Sequence, residues 1–107
     1  MKKEMHEWIK IEGNIGTVGI SASAKEEIGE IVNLELPKIG KIVKAHEEVA
    51  VLESAKSAID ISSPVSGKIV AVNKKLEKNL SLLNEKPESD GWLYKIEISN
   101  LMEMEKC

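Results

Sequence analysis

The chain has 107 residues, of which 42% are hydrophobic and 31% charged, with two Trp, one Tyr and no Phe. This length predicts one domain over residues 1–107, with a core of Ile, Val and Leu. A net charge of -3 and the scarcity of aromatic rings argue against nucleic-acid binding, which needs a basic face and stacking side chains. No apolar run reaches the roughly 20 residues of a membrane span or forms a signal peptide, so we expect a cytoplasmic protein away from membranes. We also expect it to be a monomer.

Few residues are suited to catalysis or metal binding. The one cysteine, Cys107, is the last residue, where neither an internal disulfide nor an ordered setting for a nucleophile is expected. His6 and His46 are far apart in the sequence, and neither has a second ligand at metal-binding spacing. No nucleophile elbow or glycine-rich phosphate loop occurs. We therefore predict a non-catalytic module on which other proteins act.

Alternating and β-branched runs predict strands along much of the chain. Residues 8–12 and 15–20 flank the turn signal Gly13-Asn14, which predicts an N-terminal hairpin. Residues 31–36 are typical of a further strand, and residues 92–98 alternate cleanly enough to predict the last one. These runs indicate a mainly β fold.

Helical signals are few and short. Ser23 lies three residues before Glu26, the spacing of a capping box, and predicts a helix over residues 23–29 that ends at its glycine. Residues 79–84 are too polar and short for a prediction, and residues 99–107 favour a turn or two of helix. The core face of the predicted helix is formed by Ala24, Ile28 and Ile31 or Val32.

A short repeat surrounds the centre of the chain. Residues 37–43 and 64–70 share Pro, Gly, Lys, Ile and Val at the same places, which indicates two similar turn-and-strand units related by an approximate two-fold axis. Between them, residues 49–52 and 58–62 predict two strands joined by a tight turn. Lys56 then lies at the tip of this hairpin and projects into water.

The register of the central hairpin follows from its turn. With Ala55 and Lys56 at the centre, Leu52 opposes Ile59 and one face of the hairpin is apolar. Ala50 opposes Ile61 on the same face. The other face carries Glu53, Val51, Ala58 and Asp60. A lone lysine in a turn is more often an ordinary solvated residue, so a functional role for Lys56 has to be inferred from the residues around it in the sequence.

The sequence around Lys56 resembles the lipoyl-attachment region of the H protein of the glycine cleavage system. The likeness runs from Glu53-Ser54-Ala55-Lys56 to residue 73 and extends over most of the chain. Further segments match the family in order and spacing, at residues 6–10, 16–20, 36–40, 84–87 and 91–93. The chain is identified as a short or divergent member of that family.

The resemblance implies a small antiparallel β-sandwich or barrel of the lipoyl-domain type, with lipoate attached covalently to Lys56. It also implies that a lipoyl ligase or transferase attaches the group by recognising Glu53, Ser54 and Asp60. The lipoyl arm then carries the aminomethyl group of glycine from the pyridoxal-phosphate glycine decarboxylase to a tetrahydrofolate-dependent aminomethyltransferase. A flavin-containing dihydrolipoyl dehydrogenase finally reoxidises the arm, and the carrier itself catalyses no step.

Family contacts to the loaded arm fall on His6, Glu7 and Asp60, where carboxylates suit the amine of the loaded group. The chain also departs from the family pattern. Met5 replaces a hydroxyl residue of the arm-binding cleft, and Glu88-Ser89-Asp90 stands where an aromatic residue usually precedes the Gly-Trp pair.

Other functions remain open from the sequence. An H-like carrier can instead relay lipoate to 2-oxoacid dehydrogenases, or serve another redox or modification pathway. A biotin carrier would have methionines beside the lysine, whereas Ala55 and Ser57 flank it here. A purely structural domain is disfavoured by the intact Glu53-Ser54-Ala55-Lys56 segment.

Overall fold

A computed structural model describes residues 7–99 of the chain. Strands are the main secondary structure of this part, as the sequence predicts, and three short helices lie between them. The strands are β1 Glu7–Glu12, β2 Ile15–Ile20, β3 Ile31–Glu35, β4 Ile42–Val43, β5 Glu48–Ser54, β6 Ala58–Ser62, β7 Gly67–Val72 and β8 Tyr94–Ile98. The helices are α1 Ala22–Ile28, α2 Lys75–Lys78 and α3 Ser81–Glu85.

The strands form two antiparallel sheets. One has five strands in the order β1-β2-β8-β7-β4, and the other has three in the order β3-β5-β6. The buried core is almost entirely aliphatic, and its only aromatic member among the described residues is Tyr94. The predicted mainly β fold and the Ile, Val and Leu core are confirmed. Representative fully buried residues are Val18, Ile20, Leu52, Ile61, Ile69, Leu93 and Ile96.

The central hairpin has the predicted register. Leu52 pairs with Ile59 and Ala50 with Ile61. The two repeat units pair with each other as well, since Val43 lies opposite Gly67 where β4 meets β7. Residues 40–70 therefore form one long antiparallel hairpin that passes from the five-stranded sheet to the three-stranded sheet. Its tip lies at the predicted turn.

The predicted N-cap of α1 is wrong by two residues. Ser21, not Ser23, caps the helix, and its hydroxyl oxygen accepts a hydrogen bond of 3.2 Å from the amide of Ala24. Ser21 follows directly on β2 and keeps an extended backbone (φ -70°, ψ 155°), which is the conformation that an N-cap requires. Helix α1 ends as predicted at Gly29, and its buried residues are Ala24 and Ile28.

The other differences lie at element ends and in weakly patterned sequence. Of the two alternatives for the core, Ile31 is buried and Val32 is exposed. Helices α2 and α3 were not predicted from the sequence; within the described chain, neither has a side-chain hydrogen bond at its N-cap. Strand β8 begins at Tyr94 because the amide of Trp92 bonds to the carbonyl of Ser89 in the preceding turn. The predicted helical tail beyond Ser99 lies outside the described residues.

No helix within residues 7–99 has the length and apolar character needed to cross a membrane.

Candidate functional site

Lys56 lies exposed at the tip of the β5–β6 hairpin, where the sequence places it. Its backbone is held by Ser54, whose hydroxyl oxygen accepts hydrogen bonds from the amides of Lys56 (3.2 Å) and Ser57 (3.1 Å). The amide of Ser54 also donates to the carbonyl of Ser57 over 2.8 Å. The local chain therefore presents the lysine on an ordered turn while its side chain remains in solvent.

The stem of Lys56 lies beside the end of helix α1. A Cβ atom built on Gly29 would lie 3.8 Å from Cε of Lys56, so the glycine leaves bare backbone next to the lysine methylenes. The backbone of Gly29 (φ 87°, ψ -158°) lies in a region that glycine alone adopts readily. Helix α1 thus stops where the lysine stem passes.

Glu53 and Asp60 share the outer face of the three-stranded sheet. Glu53 pairs with Ala58, and Asp60 lies two residues further along the same strand, so the two carboxylates are diagonal neighbours. Both side chains are exposed, and a carboxylate oxygen of Glu53 accepts a 2.8 Å hydrogen bond from the side-chain amide of Asn33. The proposed ligase-recognition residues therefore lie together near the hairpin tip.

Glu7 joins the two sheets at the other end of β6. Its carboxylate accepts a 3.0 Å hydrogen bond from the amide of Ser62, on the edge of β6 that faces away from β5. Asp60 lies two residues before Ser62, on the same strand and face. The structure thus places Glu7 against β6 at Ser62, and Asp60 two residues along the same edge strand, closer to Lys56. His6 and Met5, the other residues assigned to this cleft, lie outside the described residues.

Tyr94 is a buried residue near this edge that the sequence analysis did not single out as functional. Its side chain is fully buried, and its hydroxyl makes no hydrogen bond within residues 7–99. Burial raises the pKa of Tyr94 well above its usual range, and the negative charge of the Glu7 carboxylate raises it further. The nearby Ser63 hydroxyl lowers the pKa of Tyr94 in part, although this hydroxyl lies outside ordinary hydrogen-bonding geometry. The Ser63 hydroxyl instead donates to the carbonyl of Val65 over 2.6 Å.

Helix α3 and the segment after it hold α1 and β3 in position. Asn84 pairs with the backbone of Ile31, accepting from its amide over 2.7 Å and donating to its carbonyl over 3.1 Å. Glu88 accepts a 2.6 Å hydrogen bond from the amide of Ala22, the first residue of α1. These contacts fix α1 and β3 on either side of Gly29, and thereby the surface beside Lys56.

A groove of about 570 Å³ opens between α1, β3 and α3. Its lining does not include Glu7 or Asp60, so it is separate from the edge described above. Within residues 7–99, no cluster of His, Cys, Asp and Glu side chains is arranged to hold a metal ion. The groove is lined by Lys25, Glu30, Ile31, Val32, Leu80, Ser81, Asn84 and Glu85.

The glycine cleavage H-protein family model matches residues 1–107. The chain belongs to the glycine cleavage H-protein family. The glycine cleavage system H protein of Thermotoga maritima is 49% identical over 107 residues, covering 98% of this chain and 86% of that protein. That of Symbiobacterium thermophilum is 46% identical over 100 residues, covering 94% and 78%. The crystal structure of the Mycobacterium marinum H protein superposes with a TM-score of 0.82 at 35% identity, covering 88% of this chain and 79% of that one.

H proteins carry lipoate covalently on a lysine and act with glycine decarboxylase, aminomethyltransferase and dihydrolipoyl dehydrogenase. They are carriers in the glycine cleavage system and are not themselves catalytic. The predicted family, cofactor and carrier function are confirmed. Glycine cleavage is favoured over the lipoate relay, the biotin carrier and the purely structural domain.

Proposed function

We propose that Lys56 is the residue of this H protein that carries lipoate. The supporting observation is the exposed position of Lys56 on a turn that the Ser54 hydroxyl holds in place. The ε-amine is available to a lipoyl ligase or transferase without any unfolding of the hairpin. Glu53 and Asp60, which share one exposed face near the tip, then serve as recognition residues for that enzyme.

The residues around Lys56 order the backbone at the attachment point, while the lipoyl-lysine arm remains free to move. When bound, lipoate supplies the dithiolane that carries the aminomethyl group between enzymes. The Ser54 hydroxyl orders the turn, and the bare backbone of Gly29 lies beside the lysine stem. An ordered attachment point limits the volume that the arm explores, which raises its effective concentration at each partner enzyme.

Intact-mass measurement tests this assignment. Wild-type protein made together with an active lipoyl ligase should gain the mass of one lipoyl amide, and Lys56→Arg should gain none. Lys44→Arg, an exposed lysine elsewhere on the surface, is the matched control and should be modified like the wild type. An unmodified wild type, or a modified Lys56→Arg variant, would contradict the proposal.

We also propose that Glu7 and Asp60 bind the loaded arm between visits to the enzymes. Support comes from the edge of β6, where Glu7 bonds to Ser62 and Asp60 lies two residues closer to the hairpin tip. Two carboxylates along this edge suit the amine of the loaded group. His6 is proposed as a third contact on the strength of the family resemblance.

Loss of the aminomethyl group from loaded protein tests this cleft. Glu7→Ala and Asp60→Ala, each lipoylated to completion with excess ligase before loading, should release the group several-fold faster than the wild type. Glu12→Ala removes an exposed carboxylate at the far end of β1 and is the control. Equal release rates in all four proteins would show that neither carboxylate holds the arm.

Residues 1–107 are proposed to form one lipoyl-carrier domain that acts as a monomer in the cytoplasm. The core formed by both sheets supports a single unit over the described residues. Light scattering of the purified protein and cell fractionation test the two remaining statements.

A further inference from the structure

An exposed apolar surface lies at the edge of the five-stranded sheet, away from the sites above. It is formed by Ile39, Ile42 and Val70, whose side chains are 57%, 69% and 36% exposed. We call these three residues the Ile42 face. Isolated exposed apolar residues are ordinary, but neighbouring ones more often mark a contact surface.

Strand pairing and the turn at Gly40 bring the three residues close to one another. Ile42 of β4 lies opposite Lys68 of β7, and Val70 is two residues further along β7, which makes Ile42 and Val70 diagonal neighbours. The amide of Gly40 bonds to the carbonyl of Ile69 over 2.7 Å, so the turn that carries Ile39 lies beside Val70. A Cβ built on Gly40 would have no atom within 4 Å, so the backbone of this turn lies open beside the apolar side chains.

The rim of the Ile42 face is basic although the whole chain has a net charge of -3. Two carboxylates lie close to the rim: Glu47, 3.7 Å from the Lys41 ammonium, and Glu97, opposite Lys68 in β8. Among residues 7–99, Lys41 and Lys68 each have a carboxylate neighbour, whereas Lys38 and Lys44 add exposed positive charge beside the apolar centre. The exposed rim lysines are Lys38, Lys41, Lys44 and Lys68.

We propose that the Ile42 face docks an apolar protrusion rimmed by carboxylates on one of the enzymes that act on the lipoyl arm. The complementary partner follows from the charge and apolarity of the surface. This inference rests on the proposed carrier function, because it assigns the face to enzymes that use the arm on Lys56. The long hairpin places the face at its open end and Lys56 at its tip, so an enzyme can hold the face while the arm remains free.

Steady-state kinetics with lipoylated protein as the varied substrate tests the proposal. Ile42→Ser and the double variant Lys38→Glu/Lys44→Glu should each raise the KM of at least one of glycine decarboxylase, aminomethyltransferase and dihydrolipoyl dehydrogenase about tenfold. The kcat at saturation should stay unchanged, because the arm and its attachment are untouched. Added salt should raise the wild-type KM, and it should do so less for the charge variant.

Matched controls lie on β1, at the opposite edge of the same sheet. Ile11→Ser removes an apolar side chain that is 38% exposed, and Lys10→Glu reverses an exposed charge. Both should leave all three KM values unchanged. Thermal melts of each variant show whether it folds, and intact mass shows whether it is lipoylated.

Three outcomes would overturn the proposal. Unchanged KM values for all three enzymes would show that the face docks none of them. The rim lysines would then serve only to prevent another strand from pairing with the exposed edge of β4. A wild-type dimer that Ile42→Ser converts to monomer in sedimentation would assign the face to a second copy of the chain. Salt-sensitive binding of a DNA duplex that the charge variant loses would assign it to nucleic acid. Failure of lipoylation on Lys56 is seen separately in the intact mass and bears on the carrier assignment alone.

Discussion

At the scale of single residues, Tyr94 combines complete burial with a hydroxyl that has no hydrogen-bond partner within the described chain. Desolvation of an unpaired hydroxyl costs about 1–3 kcal/mol, and the ring without it would fill nearly the same space. We therefore expect Tyr94→Phe to raise the free energy of unfolding by about 1 kcal/mol at pH 7, measured by urea denaturation. A variant less stable than the wild type would show that a bound water or a neighbouring group pairs with the hydroxyl.

The same residue predicts how stability depends on alkaline pH. Burial raises the pKa of Tyr94 in the folded protein above its unfolded value of about 10. The folded state then keeps a proton that the unfolded state releases above about pH 10, so titration of Tyr94 leaves stability unchanged below that pH and lowers it progressively above it. Stability of the wild type should fall more steeply above pH 10 than that of Tyr94→Phe, by up to about 1.4 kcal/mol per pH unit.

Lysines titrate in the same range, but both proteins have the same lysines, and the chain has no other tyrosine. The difference between the two urea profiles therefore isolates Tyr94. Parallel profiles from pH 8 to 11 would contradict the prediction.

At the scale of secondary-structure elements, the Asn84 side chain supplies hydrogen bonds that a neighbouring strand would otherwise make with β3. Its amide group makes two hydrogen bonds with the backbone of Ile31, on the edge of β3 that pairs with no other strand of residues 7–99. We expect Asn84→Ala to lower the free energy of unfolding by about 1–3 kcal/mol, because it leaves two partly buried backbone groups unpaired. Chemical denaturation measures this loss.

The control is Asn79→Ala, which removes an exposed amide between α2 and α3 and should cost less than half as much. Hydrogen exchange locates the effect: the amide of Ile31 should lose protection in Asn84→Ala and keep it in Asn79→Ala. Equal stability of the two variants would show that the hydrogen bonds between Asn84 and Ile31 do not stabilise the fold.

These elements also show which parts of the fold the sequence predicts. The hairpins follow from alternation and turn residues, which are local, and the register around Lys56 follows from the turn alone. The contacts of Asn84 with Ile31 and of Glu88 with Ala22 join residues 53 and 66 positions apart, so no local pattern reveals them. Helices α2 and α3 also could not be predicted from the sequence, because they lack side-chain caps and are stabilised by the burial of Leu76 and Leu83.

Among candidate site residues, the sequence predicts those whose position depends on one hairpin. Lys56, Glu53 and Asp60 belong to that group. Gly29 does not, because its proximity to Lys56 depends on the pairing of β3 with β5, in which Ile31 lies opposite Ser54. Tyr94 also escapes prediction, since a tyrosine in an alternating strand gives no sign that its hydroxyl is unpaired.

At the scale of the whole molecule, the core and the attachment point are physically separate. The buried cluster draws on both sheets, whereas Lys56 is exposed and contributes no buried surface to it. Lipoylation removes one positive charge from a chain whose net charge is -3 and adds a group outside the core. We expect lipoylated and unmodified protein to differ by less than about 0.5 kcal/mol in free energy of unfolding, within the usual range for surface changes.

Denaturation of both forms at pH 7 measures this difference, and amide chemical shifts show where the structure responds. Shifts should be confined to the hairpin tip and to the end of α1 near Gly29, because those are the segments beside the lysine stem. A stabilisation well above 1 kcal/mol, or shifts along the groove between α1, β3 and α3, would mean that the resting arm is bound to the body of the protein. The carrier would then have to release its own arm before each transfer, at a cost equal to that stabilisation.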